Sequence, residues 1–518
     1  MCALKRQILL GGEMIEDKGK CGIVRSFNPA TGQEYLIEEF SQSSLATFDH
    51  MLAVAQEATD ELRRLPQRVI FDFLSALREA ITTRSTEFVA VMVAETGFTQ
   101  EVVTFEMMTR VVNQQIPAFQ KALQEGGWME ILHDAPAHLL RRRIPLAGPV
   151  LVLGPRNFPA AFNGTGSCAA LGALITGHAV ICIGNRSQPR TAAVYMAATL
   201  DALKAVPQMP RGAVQFMFGL GITDLEAAVN RSALCCTDFT GSNEIGNRLM
   251  KRAPDKFHFE GTGMNVQFVL SAAIASGMDG LAKTIVEKGI LGGRSGQLCT
   301  ADNVVIVVGD RGRQFRSQLE ENLSLGVTKH FLLSQDIREK FVSRCSRLTD
   351  DLFGFEMVGG GIVAGNDFGA YAALLHASAD DVIPRLDSLS KDWPIFGPAA
   401  LVIEAVDEEE ALIVARSLTH PRIVSSVNCD AGDYPLATKL TGILAAGSGR
   451  VVLHGVGPGV AISNAMCHKV PFAGSNTTGV GSAICRRFTT EISLQGFDSE
   501  HGSEILEGLY GAPFAVPS

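Results

Sequence analysis

The chain has 518 residues, 46% hydrophobic and 19% charged, with a formal net charge of −9. This balance is that of a globular protein long enough for two or three domains, and it excludes a disordered chain. No long Lys/Arg block occurs, so nucleic acid and an anionic membrane are not expected partners. At the start of the chain, Met1 to Asp17 mixes charges with a short apolar run and has no signal-peptide core. Eleven scattered cysteines without a CxxC pair predict a reducing, cytoplasmic setting with no disulfide framework and no metal site.

Residues 44 to 125 read as helices. Leu65-Pro66-Gln67-Arg68 opens an amphipathic segment running through Arg78, and Ser85 is the expected N-cap of a helix that stops at Glu95-Thr96-Gly97. From 148 the pattern alternates strand and helix. Strands are expected at Val150 to Leu153, Val180 to Ile183, Val214 to Phe218 and Leu234 to Phe239, where the vicinal Cys235-Cys236 reads as buried. Helices are expected at about 160 to 176, 189 to 204 and 223 to 230. Such βαβ alternation implies a parallel sheet covered on both faces. The uncharged stretch between Arg156 and Arg186 is too punctuated by Asn, Pro and Gly to span a bilayer. A second α/β region begins near 264, holds the apolar runs at 304 to 308 and 398 to 403, and ends near Val451 to Leu453. The tail alternates Phe488, Thr490, Ile492 and Leu494, as an exposed strand in need of a partner does. Residues 138 to 146 are the expected partner, within the chain or across a subunit interface.

The chemistry-bearing segment is Gly296-Gln297-Leu298-Cys299-Thr300, a cysteine on a tight glycine turn. Upstream lies Phe259-Glu260-Gly261-Thr262-Gly263-Met264-Asn265, which offers a carboxylate. A thiol among exposed backbone N–H groups, with an acid brought near by the fold, is the equipment for covalent thioester chemistry. Phe239-Thr240-Gly241-Ser242-Asn243-Glu244-Ile245-Gly246 follows a strand and opens a helix, which would aim N–H groups and the positive helix end at a pyrophosphate. It is not the GxGxxG fingerprint.

Taken in order, Gly154-Pro155-Arg156-Asn157-Phe158-Pro159, Phe239-Thr240-Gly241-Ser242, Glu260, Gly296-Gln297-Leu298-Cys299 and Ile395-Phe396-Gly397-Pro398 resemble the aldehyde dehydrogenase superfamily. The resemblance runs from Asn28-Pro29-Ala30-Thr31-Gly32 to the tail. Asn157 to Phe162, Met466-Cys467-His468 and Thr478 to Gly481 look most like the α-ketoglutarate semialdehyde (2,5-dioxovalerate) dehydrogenase branch. The resemblance implies an α/β fold: a Rossmann-like cofactor domain (1–132 and 148–262), a catalytic domain (263–460), a β-strand oligomerisation arm (133–147 and 483–500) and a tail (501–518). It implies Cys299 as nucleophile, Asn157 as oxyanion donor, Glu260 as base for hydrolysis, and His468 as a thiolate-tuning group. NAD or NADP would be held around Pro155, Ile183, Asn185, Phe239, Thr240, Gly241, Ser242, Gly246, Gly261 and Phe396. A homodimer or homotetramer acting on a small aldehyde would follow.

Two positions depart from the family pattern. Where the family places a ribose-binding lysine, this chain has Ile183, and where it has a glutamate before Phe-Gly-Pro, this chain has Pro394. Each lost charged hydrogen bond costs roughly 1.5 to 3 kcal/mol, and Asn185, Arg186 or Arg190 would have to compensate. Arg156, beside Asn157, and Arg294, five residues before Cys299, are the expected partners of a substrate carboxylate, with Phe162 lining the site. The alternative to aldehyde oxidation is a cofactor-impaired relative acting as a thiol esterase or acyl transferase, or as a non-catalytic scaffold.

Overall fold

The computed structural model describes residues 7–19, 22–35, 40–134, 139–323, 328–350, 353–359, 367–470 and 475–497. The tail at 501–518, the end of the second arm segment and residues 135–138 lie outside them.

The expected alternation is realised as two seven-stranded sheets. Across the first run Phe257–Glu260, Cys236–Thr240, Val150–Leu153, Val180–Gly184, Val214–Phe218, Gln7–Leu10 and Glu13–Glu16. The first five are mutually parallel. Val150–Leu153 and Val180–Gly184 are buried at every position, which is why they read as continuous apolar runs rather than alternating ones. The last two strands form a hairpin closed by Gly11 and Gly12 at positive φ. Leu9 pairs with Phe216, so the hairpin caps the far edge from more than 200 residues away, a pairing not anticipated in the sequence reading.

The second sheet runs Glu356–Gly359, Ala373–Ser378, Ala399–Ala405, Val304–Val308, Val266–Val269, Arg422–Asn428 and Ser448–Leu453, parallel except for its first pair. A separate three-stranded sheet joins Leu132–Asp134, Leu139–Pro145 and Thr489–Gln495. There Ile492 faces Arg142 and Leu494 faces Leu140, so the expected pairing is made within the chain.

Three local expectations need correction. The helix expected at 160 to 176 covers only Cys168–Ile175, capped by the Ser167 hydroxyl. Gly164 at φ +58° and Gly166 turn the chain before it, pressed so closely on Tyr195 that neither position admits a Cβ. Ser85 is the first residue of its helix rather than the cap, and Glu95 and Thr96 lie inside that helix and are buried. Burial pushes the Glu95 carboxyl up to about 7, against hydrogen bonds from Thr191, Arg190 and Ser26 that tie this helix to the start of Pro189–Ala205. Downstream, Phe105–Gln115 is a π-helical stretch between two α-helical segments, an irregularity often found at functional sites.

Candidate active site

Cys299 sits between the second sheet's Val266–Val269 and Val304–Val308, after a helix that ends at Ile290. The chain reaches it through Gly292, Gly293, Ser295 and Gly296, all at positive φ. At Gly296 a Cβ would stand 2.0 Å from the Gly397 carbonyl oxygen, so only glycine lets the Phe396-Gly397-Pro398 loop close against this turn. Three buried amides then fix the turn. Gln297 donates to the carbonyls of Arg294 and Phe331 and accepts from the Leu333 N–H. Asn265 donates to the Cys299 carbonyl at 2.7 Å and to that of Ala301 at 3.2 Å. Asn157 donates to the Gln297 carbonyl at 2.9 Å. The Cys299 side chain is half-buried.

Asn157 leaves the C-terminal end of Val150–Leu153 in a loop held by Asn163, whose amide donates to the carbonyls of Pro155 and Phe158. Behind the loop lies a buried ion pair. Arg294 donates to Glu106 at 2.8 Å and to the Asn157 carbonyl at 2.6 Å, and its guanidinium stacks 4.2 Å from the Phe158 ring centroid. The other Glu106 oxygen accepts from the N–H groups of Ala160 and Ala161. Arg294 is therefore fully engaged in holding Asn157, and the expectation that it meets a substrate carboxylate is corrected. Arg156, a third exposed, donates through one nitrogen to Ser334 at 2.6 Å and to Asp336 at 2.8 Å.

Glu260 ends its strand opposite Thr240, and its carbonyl accepts from the Gly241 N–H. Its side chain is 2% exposed. His468, equally buried, places Nε2 2.6 Å from Glu260 Oε1 and 3.7 Å from Cys299 Sγ. The approach to Glu260 is a charge contact, since neither carboxylate oxygen meets a donor in hydrogen-bond geometry. Burial works against charge on His468, but Glu260 and Cys299 outweigh it and carry the imidazole up to about 10. It is an imidazolium at neutral pH. Behind Glu260 lies Arg487, 2% exposed, donating to Asp238 at 2.6 Å and to Thr477, with one nitrogen 3.8 Å from Glu260. Gly479 packs so tightly on Glu260 that a Cβ would stand 1.9 Å from Oε2.

The expected cofactor residues cluster at the C-terminal edge of the first sheet. Ser242 caps Asn243–Met250 through the Ile245 N–H. Gly241 and Gly246 lie against the rings of Phe239 and Phe259, where a Cβ would come within 2.5 and 2.2 Å, and Gly261 lies against Asn243. Asn185 donates to the Gly154 carbonyl, and the Arg190 guanidinium stacks on Tyr35 at 4.6 Å. Ile183 is buried, while Pro394 and Phe396 are half-buried. Among the described residues no group of three His, Cys, Asp or Glu side chains could hold a metal ion, and no helix is long and apolar enough to cross a membrane.

Glu106, Asn265 and Arg487 were not singled out by sequence reasoning. Only Asn265 left a signal there, as an amide six residues after Phe259 at the end of the acid-bearing motif.

Two α/β sheets bring a thiol, an imidazole and a carboxylate together at one site. The model of the aldehyde dehydrogenase family matches residues 15–419. The chain belongs to the aldehyde dehydrogenase family and is an oxidoreductase of that type. It is 27% identical to alpha-ketoglutaric semialdehyde dehydrogenase 2 of Azospirillum brasilense, over 99% of this chain and 98% of that one. It is 26% identical to the alpha-ketoglutaric semialdehyde dehydrogenase of Acinetobacter baylyi, over 88% of each. Among solved structures, HpcC from Thermus thermophilus superposes with a TM-score of 0.79 at 18% identity, covering 99% of this chain and 94% of that one. A 1-pyrroline-5-carboxylate dehydrogenase from Thermus, solved with bound NAD, gives 0.78 at 18% identity, over 94% and 92%.

Proposed function

We propose that the protein oxidises a small carboxylated semialdehyde, of the 2,5-dioxovalerate kind, to the acid with NAD or NADP. The observation that carries the reading is the shared contact of His468 with Cys299 and Glu260 beside the Asn157 amide. The curated relatives named for α-ketoglutaric semialdehyde supply the substrate class.

His468 faces Cys299, whose thiolate is the nucleophile. Sγ attacks the aldehyde carbon, and the oxygen takes the charge as a thiohemiacetal alkoxide. The second N–H of the Asn157 amide and the Cys299 backbone N–H are its donors, and such donors are worth about 3 kcal/mol each in comparable sites. When bound, NAD(P) would supply the acceptor for the hydride that leaves the adduct carbon as the thioester of Cys299 forms. Glu260 takes a proton from water as the water oxygen attacks the thioester carbon, and the thiolate leaves, restoring Cys299.

The cofactor fits best at the pyrophosphate, where Gly241 and Ser242 precede the N-terminus of Asn243–Met250 at the strand edge. It fits less well at the riboses, since Ile183 and Pro394 offer no polar side-chain atom. That shortfall favours thiol acyl transfer without a cofactor as the second reading. The first sheet would hold the cofactor and the second the nucleophile. The three-stranded sheet, with Thr489–Gln495 on its outer edge, would pair subunits of a homodimer or homotetramer.

Calorimetric titration of Cys299→Ala protein with NAD and NADP tests the reading. Micromolar binding of either supports it, and absence of binding at millimolar concentration sinks it in favour of acyl transfer.

A further inference from the structure

Arg294 is buried against Glu106 and one nitrogen of Arg156 is held by Asp336, which turns attention to the other arginines near the thiol. The arginines around the thiol are nearly all engaged. Arg487 is held by Asp238 and Thr477, and Arg450 donates to the carbonyls of Gly457 and Gly459. Arg110 differs. It lies on the π-helical stretch Phe105–Gln115, about one turn beyond Glu106, and is only 8% exposed. Its Nε is fully buried with no hydrogen-bond partner, and among the described residues no carboxylate oxygen lies within ion-pair distance of its guanidinium. Glu106 cannot serve it, because both carboxylate oxygens are taken by Arg294 and by the N–H groups of Ala160 and Ala161.

A buried guanidinium without an anion is costly, and removing it would ordinarily be favourable. Its surroundings point to the active site. Its Cζ lies 5.9 Å from the ring centroid of Phe158, the residue after Asn157. Phe158 packs on Phe162, which packs on His468. Burial holds the Arg110 guanidinium below its ordinary range, with Cys168, Glu106, Arg294 and, least, Cys299 also acting on its charge.

We infer that Arg110 is the specificity residue of this site, the cation that receives the distal carboxylate of an ω-oxo acid while its aldehyde carbon reaches Cys299. This rests on the oxidation reading above and sharpens it. The planar guanidinium suits a carboxylate bidentately, and the aromatic rings of Phe158 and Phe162 exclude water along the way. The substrate would then supply the ion-pair contact that the protein does not.

The test compares full-length wild type, Arg110→Gln and Arg110→Lys on 5-oxopentanoate and on pentanal, which differ in the terminal carboxylate. The ratio of kcat/KM for the acid over the neutral aldehyde should fall about 100-fold in Arg110→Gln, mostly through KM, and recover in part in Arg110→Lys. Thermal denaturation should show Arg110→Gln at least as stable as wild type, since an unpaired buried charge is removed. A ratio within threefold of wild type overturns the assignment, as does a large loss of stability with an unchanged ratio. If wild type oxidises neither aldehyde with either cofactor, the oxidation reading fails, and Arg110 is judged on glutarate binding by calorimetry. Binding at least tenfold weaker in Arg110→Gln sustains it, whereas equal binding, or none to wild type, overturns it.

Discussion

Glu260 and His468 meet at 2.6 Å, Oε1 to Nε2, in a space from which both are almost wholly shielded from solvent, and the same nitrogen faces Cys299 at 3.7 Å. One imidazole nitrogen thus faces both the side chain proposed as nucleophile and the one proposed as base.

The charge on His468 should be visible in Cys299 reactivity. His468→Asn removes the charge facing Sγ, so alkylation of Cys299 by iodoacetamide at pH 7 should slow at least tenfold. An alkylation rate at pH 7 equal to wild type would refute the thiolate pairing.

The same shift has a consequence for stability. His468 is raised to about 10 in the folded chain and titrates near 6.5 when unfolded. Its stabilisation is therefore complete below about pH 6.5, provided Glu260 is ionised, and is lost as pH climbs through about 10. Melting temperature followed from pH 7 to 10.5 should fall more steeply for wild type than for His468→Asn; parallel curves would count against the shift.

Under the proposed mechanism, replacing Glu260 by Gln leaves acylation possible and removes the base for hydrolysis. Steady-state turnover should drop by about 10² to 10⁴ while a rapid burst of reduced cofactor, near one per site, persists in stopped-flow absorbance. Loss of the burst along with turnover would place Glu260 in the first half-reaction instead.

Gly479→Ala puts a methyl where Glu260 Oε2 now lies. The expected outcome is slower hydrolysis of the acyl-enzyme with cofactor affinity within twofold of wild type. Unchanged turnover would mean that the carboxylate has room to move.

Glu106→Gln leaves Arg294 buried without its counter-charge, a change that costs about 3–5 kcal/mol in comparable pairs. The melting temperature should drop, and kcat should fall at least tenfold as the Asn157 loop loosens, while Cys299 alkylation changes less than threefold. A variant with lowered stability and full kcat would make the pair purely structural.

Much of this was legible in one dimension because the relevant signals are local. Strands buried on both faces are written as runs such as Val304 to Val308, and the thiol and the acid each sit in a short motif whose glycines the backbone requires, as at Gly296. What stayed illegible is pairing across long stretches of chain. Arg294 reads as a loop cation free for a ligand, and only the fold shows Glu106, 188 residues away, taking it. Arg487 and Asp238 are 249 residues apart and neither sits in a recognisable motif. Arg110 is hidden differently: a cation on a helix reads as solvated, and only its burial without a partner marks it out.

The three-stranded sheet has a consequence for how the protein is made. Arg143 and Thr489, hydrogen-bonded across the pairing of Leu139–Pro145 with Thr489–Gln495, are 346 residues apart. At a synthesis rate of roughly 5–20 residues per second, the first strand leaves the ribosome on the order of 17–70 s before the second exists. During that interval one side of Leu139–Pro145 stands open while the rest of the chain is still being translated. Its run of three arginines, Arg141-Arg142-Arg143, keeps that waiting edge charged, and charge on an exposed edge is what discourages pairing with nascent neighbours on the same message.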